Sequence, residues 1–152
     1  MRHKTLQQKS SGDKSRTKDR VLSYWRTVPA TSFNARSRAE INSRIRKLSS
    51  TSPEWRAAIN GDAAAAIGMA LHLWPSAELC PLEDVVMTIL LACAFDNAAA
   101  ASVLSAALRR SPLPHRQRAV LSASWAAHLR SRKSFAGEAR PFLMMKAVRR
   151  TS

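Results

Sequence analysis

The chain has 152 residues, 45% of them hydrophobic, and 25 Lys and Arg against 10 Asp and Glu, for a formal net charge of +15. That length suits one domain with a real core and leaves no room for a multi-domain enzyme. Four glycines are too few for a Gly-rich phosphate loop or for the turn glycines of most all-β folds.

Two cysteines, Cys80 and Cys93, cannot build a disulfide framework, and the opening stretch 1–9 is charged and lacks the apolar segment of a secretory signal. A reducing, cytoplasmic location is expected. The longest apolar run, 85–95, is broken only by Thr88 and falls well short of the roughly 20 residues a membrane span needs. No transmembrane segment is expected.

The charge is segregated. Residues 1–50 carry 13 basic and 3 acidic side chains, 51–108 carry one and six, and 109–152 carry eleven and one. An acidic-to-neutral middle thus lies between two basic flanks. The chain also has 18 Arg to 7 Lys and 26 Ala, a bias that a GC-rich genome writes into any protein. That bias accounts for Arg over Lys but not for acids gathered in the middle.

In chain order, residues 1–17 are polar and basic, and read as a disordered tail. A short helix is predicted over 18–27, bringing Val21, Leu22, Tyr24 and Trp25 towards the core, with Pro29 closing it. Ser37-Arg38-Ala39-Glu40 matches a capping box opening a helix over 37–49, with Ile41, Ile45 and Leu48 on one stripe and a basic outer face. Ser52-Pro53-Glu54 starts the next helix, carrying Trp55 and Ile59 and stopping at Asn60-Gly61. Asp62 then caps 63–74, in which Ile67, Leu71 and Trp74 align before Pro75.

The segment 82–95 is apolar on all sides, as befits a helix at the centre of a bundle. Asp96-Asn97 restarts the chain into 98–110, with Val103, Leu104, Ala107 and Leu108 inward. After Ser111-Pro112-Leu113-Pro114 a helix over 115–133 places Leu121, Trp125 and Leu129 on one side and Ala119, Ala123 and Ala126 on another, which suggests a packed neighbour on each. A break at Gly137 precedes a short amphipathic piece, 141–149. Sustained β-branched alternation is absent. The expected fold is all-α: a compact bundle or short helical-repeat-like array of seven to eight helices. Its divisions are a basic tail at 1–17, a helical domain at 18–134 and a basic C-terminal extension at 135–152.

Gly61-Asp62-Ala63-Ala64-Ala65-Ala66 and Asp96-Asn97-Ala98-Ala99-Ala100-Ala101 recur at an offset of 35 residues, each opening a small-residue helix after a polar cap. Residues 60–108, with Asn60-Gly61-Asp62 and the alanines that follow, resemble Sel1-like and tetratricopeptide-type helical repeats, though without those families' later aromatic and glycine positions. The resemblance implies a protein-binding surface rather than catalysis.

Catalytic and metal chemistry find little footing. Cys80 and Cys93 are 13 apart, with His72, His115 and His128 scattered, so no metal ligand pair forms and Cys93 reads as a small buried hydrophobe. Glu83 and Asp84 stand at a helix start, where the macrodipole favours anions, and His72 near a helix end, where it favours cations. No nucleophile elbow or catalytic triad order appears. The reading is non-enzymatic, with no cofactor.

The basic flanks remain. Arg36, Arg44, Arg46 and Lys47, together with Arg116, Arg130, Arg132 and Lys133, are the candidate polyanion contacts, with Lys14, Arg16, Lys18, Arg20, Arg149 and Arg150 as wrapping arms. No helix-turn-helix spacing supports base reading, and Trp25, Trp55, Trp74 and Trp125 fall on apolar stripes instead of forming stacking platforms. The expected function is a small helical protein whose flanks hold a polyanion, above all nucleic acid without base specificity. The alternative is a helical-repeat-like adaptor that binds a protein partner. A third reading uses 141–149 as a basic amphipathic anchor on a membrane surface.

Overall fold

The computed structural model describes residues 20–48, 52–73 and 78–138, with side chains as far as Arg132. The described residues are all-α, without strands. Helical residues 20–22 form the described end of α1, followed by 3-10 turns at Tyr24–Arg26 and Ala30–Ser32. The remaining helices are α2 (Ala35–Ile45), α3 (Pro53–Ile59), α4 (Ala63–Leu73), α5 (Pro81–Ala94), α6 (Ala98–Arg110) and α7 (His115–Glu138). None of them is long and apolar enough to cross a membrane. The expected tail at 1–17 and the amphipathic piece at 141–149 lie outside the described residues.

Helix α5 is the axis of the bundle. Residues 86–94 are buried without interruption, and α2, α3, α4, α6 and the first 3-10 turn all pack on it. The all-round apolar run therefore sits where its composition requires. Helices α4 and α6, the pair that carries the alanine echo, both lie against α5 and touch each other.

Several helix boundaries follow from local chemistry. Ser52 Oγ accepts from Trp55 N, with Pro53 at the first helical position. Asp62 Oδ1 accepts from Ala64 N at 2.9 Å and Ala65 N at 3.1 Å, and Asn97 Oδ1 from Ala100 N at 3.0 Å. Gly61 has φ +98°, the left-handed conformation that ends α3 and that glycine adopts at least cost.

Other expectations are corrected. Helix α2 begins at Ala35, because Asn34 is its cap: Asn34 Oδ1 accepts from Ser37 N at 2.9 Å. Asn caps as well as Ser does, and Glu40 serves Tyr24 and Arg36 instead of closing a capping box. Helix α7 continues through Gly137 to Glu138, past position 134, since one helical glycine costs only about 1 kcal/mol. In α4 it is the small stripe, Ala66 and Ala70, that is buried, while Leu71 is 54% exposed. Leu71 lies off that stripe, on the outward side. On α7, Ala119 and Ala123 face solvent. The contact with α6 runs through Leu121, Ser122 and Trp125, with Ser105 Oγ donating to Ser122 O at 2.8 Å.

Long-range polar contacts tie the segment 20–33 across the bundle. Asp84 accepts from Trp25 Nε1 at 2.8 Å and from Arg26 Nε at 3.0 Å. Thr88 Oγ1 donates to Leu22 O, Gln117 Nε2 to Arg26 O, and Ala30 N to Ser124 Oγ. Beyond them Phe33 meets Phe95 and Trp125, both with ring centroids 5.8 Å apart. Trp25 and Trp125 are fully buried and Trp55 partly so, while Trp74 lies outside the described residues.

Candidate polyanion-binding surface

The described side chains include 14 of the 25 basic ones and 7 of the 10 acidic ones, so much of the excess positive charge lies outside them. Lys14, Arg16, Lys18, Arg149 and Arg150 are there, as is the Lys133 side chain; Arg20 is described and exposed.

The candidate residues fall into separate groups. On α2, Arg46 and Lys47 are exposed just past the last turn, and with Ser43 and Asn42 they line a shallow hollow of about 480 Å³. Arg36, at the other end of α2, is exposed and stands 3.8 Å from Glu40 one turn on. A pair so exposed contributes at most a few tenths of a kcal/mol. Arg44 turns partly inward, and its Nε is buried with no acceptor.

On α7, sixteen residues at about 1.5 Å each place Arg116 and Arg132 roughly 24 Å apart along the axis. They lie well apart along α7. Arg130 is exposed. Arg132 is committed locally: Nη1 donates to Phe95 O, and Nη2 stands 3.5 Å from Asp96. The other oxygen of Asp96 is bound by Arg38, whose guanidinium also lies 5.4 Å from the Phe95 ring centroid. Asp96 thus joins α2 to α7 through two arginines, and His128, with Nε2 3.2 Å from Phe95 O, completes that corner. Here the positive charge holds structure together.

The other end of α7 is different. Arg109, His115 and Arg118, with Ser122, surround an open hollow of about 400 Å³ at the turn between α6 and α7. Arg116 is exposed alongside. No acidic residue occurs in the sequence between Asp96 and Glu138. The α7 N-terminus adds its partial positive charge at the same place. Arg118 Nη1 also donates to Ser111 O at 3.4 Å, so one guanidinium bridges the turn that shapes the hollow. Of the candidate residues only Arg116 lies here. Arg109 ends α6, where the helix dipole already accounts for a cation, and Arg118 is three residues beyond His115 on the next helix. The clue in the sequence is the pairing of Arg109-Arg110 with His115-Arg116 across Pro112 and Pro114.

Among the described residues no three His, Cys, Asp or Glu side chains group as metal ligands. Cys80 and Cys93 are free thiols. Cys80 is exposed and caps α5, its Sγ accepting from Glu83 N at 3.4 Å. Cys93 is buried, and desolvation pushes its thiol pKa upwards, with Arg38 opposing and Asp62 adding to the shift. Compared with known protein families, curated proteins and solved structures, the chain matches none.

Proposed function

We propose that this chain is a non-enzymatic helical module that holds a polyanion, namely nucleic acid, by its backbone and without reading bases. The observation that carries this reading is the hollow at the α6–α7 turn, where Arg109, His115 and Arg118 converge beside Arg116 in a stretch free of acidic residues. Guanidinium groups suit phosphate oxygens because their donors form a planar fork, and each phosphate neutralised releases counterions. Arg46 and Lys47 on α2 offer a second contact point, and the basic residues at both ends of the sequence supply further charge. The free thiols suit a reducing, cytoplasmic setting.

The test is binding of the full chain to random duplex and single-stranded nucleic acid at about 50 and about 200 mM salt. Affinity is expected to fall steeply over that range and to depend little on sequence. Replacing Arg109 and Arg116 together by Ala removes two exposed cations and should lower the log–log salt slope by about 2. Absence of binding at the lower salt overturns this reading in favour of the protein-interaction adaptor.

A further inference from the structure

We propose that the cavity bounded by α2, the α3–α4 turn and the α5–α6 turn binds a small molecule bearing an oxyanion, a carboxylate or a phosphate, through Arg46 and the side-chain amides of Asn42 and Asn60. The site lies apart from the α6–α7 hollow and does not depend on binding of nucleic acid there. Its volume is about 410 Å³, within the range of small-molecule sites.

The walls follow from helix geometry. Arg38 and Asn42 on α2 and Arg46 at its C-cap are spaced four residues apart, so they line one face of it. Opposite them the chain turns at Asn60-Gly61. A Cβ on Gly61 would meet nothing within 4 Å, so this wall is open at the glycine. Its lining also includes Ile45, Ala58 and Cys93, all buried. Apolar side chains beside a few placed donors are the usual build of a site that orients a small polar ligand.

The charge balance selects the ligand. One acid lines the cavity, Asp96, and its two oxygens are already engaged by Arg38 and Arg132. Arg46 forms no ion pair among the described residues, nor do the side chains of Asn42 and Asn60 form hydrogen bonds there. The uncommitted groups are thus one guanidinium and two amides, which favours an acceptor-rich anion.

The experiment uses the full chain carrying Cys80→Ser, which leaves Cys93 in the cavity lining as the reporting thiol. The probes are inorganic phosphate and succinate, with glycerol as the neutral control, read by thermal unfolding and by the rate of Cys93 alkylation. At about ten times its dissociation constant an anion that fits raises the melting temperature by roughly 3–5 °C and slows alkylation about tenfold. Glycerol does neither. Phosphate acting alone identifies a phosphate ester as the ligand class, and succinate acting alone a carboxylate. Asn60→Ala and Arg46→Ala should each remove both effects, with Arg46→Lys keeping part of them. Asn60 is exposed at a helix end, so its substitution leaves the fold intact. The proposal is overturned by no shift with either anion, by equal shifts in Asn60→Ala, or by alkylation that ignores the anion. Failure here is separable from failure of nucleic-acid binding, which is read through Arg109 and Arg116.

Discussion

Replacing Asp84 by Ala should be among the most damaging single changes to a charged residue in this protein. Its carboxylate, 21% exposed, accepts from the indole of Trp25, which is fully buried, and from two nitrogens of Arg26 at 3.0 and 3.3 Å. A hydrogen bond to a charged partner contributes about 1.5–3 kcal/mol, and without it the indole N–H is left without a partner. The pair with Arg26 falls between an exposed bridge, at most about 1 kcal/mol, and a buried one whose rupture costs about 3–5 kcal/mol. Loss of an acid in the first turn of α5 adds a few tenths. A total near 3 kcal/mol follows, or a fall of roughly 6–12 °C in melting temperature for a chain of this size. Urea unfolding followed by circular dichroism and by tryptophan fluorescence measures it. Asp84→Asn, which keeps one acceptor oxygen, should lose about half as much. A double-mutant cycle with Arg26→Ala separates the ion pair from the indole bond. If Asp84→Ala unfolds within about 0.5 kcal/mol of the parent, the claim that this carboxylate anchors the segment 20–33 is wrong.

Further outcomes can be measured on the same preparations. Gly61→Ala meets no steric obstacle but forces an L-residue to φ +98°, so it should destabilise by about 1 kcal/mol in urea unfolding; an unchanged midpoint would show that the α3–α4 turn relaxes. Cys93, buried with a raised thiol pKa, should react with a thiol reagent far more slowly than Cys80. Because the folded pKa lies above the unfolded value of 9.0, Cys93 contributes stability that is whole below about pH 9 and fades as pH rises through the folded value. Cys93→Ala should therefore lose less stability than the parent as pH rises above about 9, with Tyr24, raised above 10.0 by desolvation and its bond to Glu40, contributing a similar alkaline loss to both.

What the sequence conveys here is local. The all-round apolar stretch at 86–94 is the bundle axis, and Ser52, Asp62 and Asn97 cap the helices they precede, because capping involves residues two or three apart. The same logic fails at α2 only in choosing between two good caps three residues apart, Asn34 and Ser37. Leu71 departs for another reason: hydrophobicity alone does not show that α4 buries its alanine stripe, Ala66 and Ala70, and leaves Leu71 outside. The contacts at the candidate sites were beyond reach because they join residues far apart. Arg38 and Arg132 meet on Asp96 across 58 and 36 positions, and nothing in a charge count separates an arginine spent on the fold from one facing solvent. Arg109 and Arg118, nine positions apart across a proline turn, lay nearer to inference.

The crossing of segment 20–33 over α5 and α7 also bears on the order in which the molecule is assembled. Trp25 finds its acceptor 59 positions later, and Ala30 N finds Ser124 after 94. During synthesis from the N-terminus, Trp25 and Phe33 must wait with bare aromatic surface until α5, and then the first half of α7, has emerged. That interval is the stretch of its biogenesis in which this protein is most exposed to aggregation, and most in need of a chaperone's cover.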